Sequence, residues 1–400
     1  MACEQVTLQD VCELIVDCPH TSAKDEGVGY PLIRTPNVGR GRLILTDVHR
    51  VSQDVYERRV SRAVPRQGDL ILAREAPAGN VAIVSPGIEV CLGQRTMLLR
   101  PDSSFVVPEY LNYYLNAPEQ RDRMLRLANG ATVSHINVAD IRNMPVQLPS
   151  RGEQSKVAEL LNVLDDKIDL NNRLNDYLEQ LCQSLFNRFD NDENNPFVKV
   201  SDIADVNPRR TLKKGEEALC IEMADLSTTG AFPTDWRTKA YNGGVKFVNG
   251  DTILARITPC LENGKAGYIN FLEQDEVAFG STEYIVLTSK GELPSEFFYF
   301  LARNEDFISY ATAHMNGSSG RQRVSGSDVG NYEVRMPSEK QISEFRKIAG
   351  NAMRVISASS IESRKLAQLR DALLPKLMSG EIDASKVDLT QLTNNHLADC

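Results

Sequence analysis

The sequence predicts an α+β fold written twice: two homologous mixed α/β domains separated by two long helices that form an antiparallel coiled coil, on a pseudo-twofold plan. Three observations predict it. Short motifs recur in the same order at a nearly constant offset. Each copy is followed by a long stretch whose apolar residues step by three and four. Each of those stretches opens on a helix-capping signal.

The repeat is plain in the residues. Gly68-Asp69-Leu70-Ile71-Leu72-Ala73-Arg74 returns as Gly250-Asp251-Thr252-Ile253-Leu254-Ala255-Arg256, an offset of 182. Glu109 to Leu115 is echoed by Glu296 to Leu301, and Asn129-Gly130 returns as Asn316-Gly317. Ala139-Asp140-Ile141-Arg142-Asn143 resembles Ser327-Asp328-Val329-Gly330-Asn331, and each half reaches a Pro-Ser step at Pro149-Ser150 and Pro337-Ser338. Small drifts in offset are insertions, which belong in loops. The apolar runs Leu70–Ala73, Val81–Val84, Thr96–Leu99, Thr252–Ala255 and Tyr284–Leu287 predict strands, set off by Gly and Pro. Aromatic-rich helices are expected near Pro108–Asn116 and Pro294–Arg303.

After each Pro-Ser step the period becomes helical. Val157, Leu160, Leu164, Lys167, Asn171, Leu174, Leu178, Leu181 and Leu185 mark the first seam. Phe345, Ile348, Ala352, Val355, Ser359, Glu362, Leu366, Leu369 and Leu373 mark the second. Both stretches exceed the usual globular helix, and Lys167, Asn171, Ser359 and Glu362 put polar groups on the seam, where they fix register. Ser150 with Glu153, and Ser338 with Gln341, form capping boxes. The first helix should end near Phe189, before a polar run and Pro196; Pro375 should kink or end the second, and Gly380 should stop it. The resulting plan is a first domain at 1–150, a first spacer helix at 151–189, a second domain at 190–337, a second spacer helix at 338–380 and a tail at 381–400.

Composition narrows the function classes. No run approaches the 18 apolar residues of a membrane helix, and no secretory leader is legible, so the cytoplasm is the expected compartment. Eight cysteines at 3, 12, 18, 91, 182, 220, 260 and 400 form no C-x-x-C pair, and the Cys12, Cys18, His20 spacing fits no common zinc pattern, so no metal is expected. Net charge is −9, with 16 basic against 17 acidic residues at 1–150 and 15 against 22 at 190–337. Nucleic-acid binding therefore needs a local basic face, and help from a basic partner.

Catalytic signatures are missing. Asn195-Pro196-Phe197 lacks the second proline of a methyltransferase N-P-P-Y step, and Asn207-Pro208-Arg209-Arg210 lacks the aromatic that stacks on a flipped base. Gly264-Lys265 is not preceded by the glycine of a phosphate loop. Ser318 and Ser319 do not form a nucleophile elbow. No catalytic residue and no cofactor is assigned to this chain.

Any DNA contact would come from cations beside flexible backbone, since Arg can grip guanine and Asn adenine through paired hydrogen bonds. The candidates for DNA contact are Arg34, Asn37, Arg40, Arg42, Arg74, Gln94, Arg95, Thr132 and His135 in the first half. In the second they are Arg209, Arg210, Lys246, Arg256, Arg321 and Arg323. Arg74 and Arg256 end equivalent strands and could equally make internal salt bridges. Leu160, Leu164, Leu174, Leu178, Leu366, Leu369 and Leu373 are the candidates for partner contact.

Leu148-Pro149-Ser150-Arg151-Gly152-Glu153-Gln154, then Leu160 through Ile168 and Asn171-Asn172-Arg173-Leu174, resembles the first conserved helix of Type I restriction-modification specificity subunits. Leu373-Leu374-Pro375-Lys376-Leu377-Met378-Ser379-Gly380-Glu381-Ile382 resembles the close of their second. The resemblance runs from Leu8 to Ile382. It implies two target-recognition domains, each reading one half of a split site on double-stranded DNA. It implies helices that dock two modification (methyltransferase) subunits, with restriction (translocase) subunits as further partners. S-adenosylmethionine, ATP and magnesium would belong to those partners. The other reading of the pattern is a non-catalytic assembly scaffold, two interaction domains on a coiled-coil spacer, which the acidic charge favours.

If the helices set the distance between half-sites, inserting one heptad after Leu174 and one after Leu366 lengthens each by about 10 Å. The preferred spacer should then grow by about three base pairs, at 3.4 Å per step, with both half-site sequences unchanged. Sequencing methylated sites from a random-spacer library measures it.

Overall fold

Leu70–Ala73 is apolar at every position because it lies in a sheet covered on both faces. In the computed structural model, which describes residues 4–128, 135–318 and 320–387, it is the middle strand of a five-stranded sheet. The order is Cys12–Asp17, Thr96–Pro101, Leu70–Ala73, Val81–Ile83 and Gly41–Arg42. Leu70 and Leu72, with Met97 and Leu99, face a core that includes Tyr110 and Leu111 of the helix Pro108–Asn116. Ile71 and Ala73, with Leu98, face Ile33, Val38 and Leu92 on the other side. A three-stranded sheet of Arg50–Val51, Tyr30–Ile33 and Cys91–Leu92 flanks this side.

The second half repeats the plan. Thr252–Ala255 is central in a four-stranded sheet ordered Ala204–Val206, Tyr284–Ser289, Thr252–Ala255, Ala266–Tyr268. Leu254, Ile285 and Leu287 face Phe297, Phe298 and Phe300 of the helix Glu296–Ala302, while Ile253, Tyr284 and Val286 face Ile221 and Phe247. The second sheet here has four strands, Arg237–Ala240, Glu217–Ile221, Ala278–Gly280 and Val245–Phe247. In each half one parallel pair ties that sheet together, Tyr30–Ile33 with Cys91–Leu92 and Glu217–Ile221 with Ala278–Gly280. A small antiparallel pair closes each domain before its long helix, Glu4–Thr7 with Pro145–Leu148 and Phe197–Lys199 with Glu333–Arg335.

The long helices run Arg151–Asp190 and Glu339–Ser379. Both capping boxes form: the Ser150 amide donates to Glu153 Oε2 at 3.0 Å, and the Ser338 amide to Gln341 Oε1 at 2.8 Å. Pro375 does not end the second helix, which continues through it to Ser379. At the last turn proline forfeits one backbone hydrogen bond, and Leu374 and Leu377, both buried, hold the turn against the core. Gly380, at φ 76°, supplies the left-handed stop.

The chain divides into two compact units: the described residues up to Asp165 and from Gln368 onward, and Asp166–Ala367. The division passes through both long helices. In the first unit Val157, Leu160 and Leu161 share a core with Leu374 and Leu377, and Arg370 Nη1 donates to Asp165 Oδ1 at 2.7 Å. In the second, Cys182, Phe186 and Phe189 share a core with Phe345, Ala349 and Met353. There the polar seam forms: the Asn171 side-chain nitrogen lies 2.7 Å from Glu362 Oε2 and 3.2 Å from Ser363 Oγ. Ser359 Oγ donates to Asn175 Oδ1 at 2.6 Å, and Lys167 Nζ lies 3.3 Å from Glu362. With Arg188 against Glu344 further along, residues rising along one helix meet residues falling along the other, so the pairing is antiparallel. The helical stripes thus serve the domain cores as well as each other.

Among the described residues no helix is long and apolar enough to cross a membrane. Burial pushes the Cys182 thiol up to about 12 and the Cys91 thiol up to about 11, as expected of structural thiols.

Phe345 is buried against Phe189, Phe297 and Phe300. Phe345→Ala should cost about 3–5 kcal/mol, whereas Val355→Ala, at a position 42% exposed, should stay within about 0.5 kcal/mol. Urea unfolding of the isolated chain compares the two.

Candidate nucleic-acid interface

The repeated G-D-x-I-L-A-R motif is two devices, one at each end of a strand. At its start, Gly68 and Gly250 take φ 85° and 87°, a left-handed turn that favours glycine. The following aspartate is buried and clamped. Asp69 accepts two bonds from Arg100, at 2.9 and 2.7 Å, and one from the Arg66 amide. Asp251 accepts Arg210 Nη2 at 2.7 Å, Thr288 Oγ1 at 2.5 Å and the Val248 amide. Strand registers make Thr288 the counterpart of Arg100. The guanidinium that satisfies the aspartate therefore comes from different parts of the chain in the two units. Arg210, a candidate for DNA contact, is committed to this internal clamp. Lys246 joins it, donating to the Arg210 carbonyl at 3.1 Å with its ammonium 4.9 Å from the Tyr241 ring.

At the other end of the strand the motif's arginine ties loops together. Arg74, only 13% exposed, donates from Nη1 to Asp17 at 2.8 Å and from Nε to the Ile136 carbonyl at 2.9 Å. Its own amide donates to the Arg95 carbonyl, and its carbonyl accepts the Ile136 amide. The Arg74 assignment to DNA thus gives way to the salt-bridge alternative. Around it gather Arg34, Gln94, Arg95 and His135. Gly93 packs against Arg34, so closely that a Cβ there would lie 2.8 Å from both the Arg34 side chain and the Ile33 carbonyl. Thr35 Oγ1 donates to the Ala76 carbonyl at 3.1 Å, and Gln94 Nε2 to the His20 carbonyl at 3.0 Å. A depression of about 230 Å³ opens here, lined by Cys18, His20, Arg74, Glu75, Gln94 and Arg95. Glu75 is a residue sequence reasoning missed, although it directly follows the repeated motif, and His20 was weighed there only as a metal ligand. Thr132 lies outside the described residues.

The 34–42 stretch does not act as one patch. Asn37 is buried, accepting the Arg34 amide at 3.2 Å and donating to the Ile44 carbonyl at 3.2 Å, so it builds the turn instead of reading a base. Arg42 pairs in register with Ile83, which sits opposite Leu70, at the end of the strand away from Arg74. Arg40 is exposed. Burial and the nearby Arg40 charge push the Arg121 guanidinium below its ordinary value. Arg121 itself donates from Nη1 to Asn80 Oδ1, and it had no distinguishing sequence signal.

In the second unit Arg256 repeats the backbone ties of Arg74, its amide donating to Glu283 and its carbonyl accepting Val324. Arg323 donates from Nε and Nη2 to Glu283 at 2.8 and 2.7 Å, and from Nη1 to the Arg321 carbonyl at 3.0 Å. Those bonds hold the Glu283 carboxyl below its usual range. Arg209 and Arg321 are exposed.

On the helices, Leu160 and Leu164 are buried in the first unit, and Leu178, Leu366 and Leu373 are half-buried. Leu174 and Leu369 are exposed. The inner face of the first helix carries Asn175 and Cys182 where the heptad reading placed Leu174 and Leu181. The outer face carries an apolar ridge of Leu170, Leu174, Tyr177 and Leu181, between 42% and 71% exposed.

A family model described as Type I restriction modification DNA specificity domain matches residues 2–180. The Type I restriction enzyme HindI specificity subunit of Haemophilus influenzae is 21% identical, over 79% of this chain and 87% of that one. The MjaIX specificity subunit of Methanocaldococcus jannaschii is 22% identical, over 84% and 83%. Among solved structures, the S subunit of a Type I restriction-modification system from M. genitalium superposes with a TM-score of 0.58 at 16% identity, covering 94% of this chain and 96% of that one, which shows the shared fold.

Arg210→Ala strands the fully buried Asp251 and should cost about 3–5 kcal/mol. Arg209→Ala, on the exposed neighbour, should change stability by less than about 0.5 kcal/mol. Thermal unfolding of the two variants separates the structural cation from the solvated one.

Proposed function

We propose that this chain, a member of the Type I restriction-modification specificity subunit family, recognises DNA and carries out no chemistry of its own. The observation that carries this reading is the doubled module. Two α/β units each end an equivalent strand on an arginine-tied corner where loops converge. A protein built this way reads two separate stretches of sequence, one per unit.

Cations near the corners and the exposed Arg40 would hold phosphates, which position the protein, while side chains at the corner reach base edges, which specify sequence. The long helices dock two modification (methyltransferase) subunits, and the exposed ridge from Leu170 to Leu181 gives them an apolar surface. Restriction (translocase) subunits join the same assembly, and S-adenosylmethionine, ATP and magnesium serve those partners in the cytoplasm. With a net charge of −9, this chain contributes selection more than affinity, and the partners supply most of the salt-dependent attraction. The scaffold alternative leaves unexplained why loops and cations gather at equivalent strand ends.

The pure chain, incubated with S-adenosylmethionine and DNA, should transfer no methyl groups; with modification subunits added it should direct methylation to a two-part target. Exchanging residues 1–150 for the equivalent domain of a relative should change one part and leave the other. Sequencing the methylated products reads both outcomes, and a joint change of both parts would count against one reader per unit.

A further inference from the structure

Several arginines at the two ends of the repeated strands are spent on the protein itself. Arg74, Arg100 and Arg210 each satisfy a buried or half-buried aspartate. Arg323 commits Nε, Nη1 and Nη2 to Glu283 and the Arg321 carbonyl. Arg95 differs. Its side chain is 54% exposed, and among the described residues its one ionic tether is Glu75, whose Oε2 sits 2.9 Å from Nε. That contact leaves Nη1 and Nη2, the forked end of the guanidinium, without a partner among the described residues.

The backbone at Arg95 is also unusual. It takes φ 67°, a left-handed conformation that a non-glycine residue adopts only at a cost. Such strain persists where the surroundings over-determine it, and it concentrates at functional positions. Here the surroundings are on the page: the Arg95 carbonyl accepts the Arg74 amide, and the preceding Gly93 amide donates to the Ile33 carbonyl. The turn is pinned on both sides, and its tip projects one arginine at the rim of the depression lined by His20 and Gln94.

The second unit supplies a comparison inside the same chain. The matched registers and the matched bond from Arg74 and Arg256 put Glu283 where Arg95 stands. Glu283 does not take a positive φ, and its carboxylate closes on Arg323. His135 occupies the place of Arg323, because the Ile136 and Val324 amides donate to Arg74 and Arg256 alike. One scaffold position thus carries an open guanidinium fork in the first unit and a neutralised ion pair in the second.

Resting on the DNA-recognition reading above, we propose that Arg95 is a specificity-determining residue of the first unit, taking the O6 and N7 edge of one guanine through Nη1 and Nη2, with Glu75 as its positioning residue. The two nitrogens of a braced guanidinium match that pair of acceptors, and a good paired contact discriminates against a wrong base by roughly ten- to hundredfold. Glu75 faces Nε at 2.9 Å, an ionic contact that draws the side chain to one side without consuming the end of the fork. The second unit, with no open fork at this position, reads its part of the target with other groups.

The test uses the full-length chain assembled with modification subunits and S-adenosylmethionine, on DNA randomised across the target. Wild type, Arg95→Ala, Arg95→Gln and Glu75→Gln are compared by sequencing methylated products. Both Arg95 variants should lose a guanine preference, about ten- to hundredfold, at one position in the part of the target that changes on exchanging residues 1–150. Every other position should keep its preference. Glu75→Gln should keep the preference for guanine but weaken it at that same position alone. Thermal midpoints should match wild type, since the Arg95 side chain is exposed. Unaltered preferences in Arg95→Ala, or a uniform fall in methylation of all sequences, would overturn the assignment and leave Arg95 a surface or phosphate contact. A wild-type assembly that methylates without any sequence preference would overturn the recognition function itself, and the assignment with it.

Discussion

Neither repeated domain closes its core with its own residues. In the first unit Val157, Leu160 and Leu161 from the start of one long helix lie in the same core as Leu374 and Leu377 from the end of the other. In the second, Phe186 and Phe189 lie with Phe345 and Met353. One face of each main sheet depends on this helical cover, while the other face packs on the second sheet, so the helices complete each domain's core and are not merely a spacer. It also explains their length. A stretch of roughly forty residues is far beyond what an isolated globular core requires, and here each helix meets the apolar demand of two cores, with a polar seam around Asn171 between the stretches that serve them.

That polar seam trades stability for register. Asn171, Ser359 and Glu362 satisfy one another with bonds of 2.6 to 3.3 Å to neighbours on the opposite helix. A one-residue slip would leave buried amide and carboxylate groups unpaired, which costs far more than a displaced leucine. Arg370 with Asp165 and Tyr113 adds a second such lock in the first unit, where the Asp165 carboxylate accepts the Tyr113 hydroxyl at 2.6 Å.

Much of this was legible in the sequence because it rests on local chemistry. Gly68 and Gly250, the capping boxes at Ser150 and Ser338, and the apolar runs at Leu70 and Thr252 each announce themselves through a backbone requirement. What was not legible depended on tertiary partners. Leu174 and Leu181 looked like seam residues because leucine outweighs asparagine and cysteine in a hydrophobic pattern, yet Asn175 and Cys182 are the inner positions. Pro375 read as a kink or an end, but the helix continues through it because flanking leucines in a core outweigh one lost hydrogen bond. Arg210 and Lys246 looked like DNA contacts because nothing in the sequence says that Asp251, 41 residues after Arg210, is buried and needs a cation. Arg95 was found by residue type, while its brace at Glu75 and its open fork are properties of the folded corner.

The acidic total then has a physical meaning. Arg100 and Arg210 neutralise the buried Asp69 and Asp251, and Arg74 the half-buried Asp17, so these guanidinium groups are not open to a polyanion. The most direct measurement is the sequence methylated by modification subunits assembled with this chain, compared with the same subunits assembled with a relative's specificity chain. Two separated stretches of defined sequence with an unread interval, replaced when the chain is replaced, are the predicted result. One uninterrupted stretch, or a target that stays the same whichever chain is present, would contradict the account.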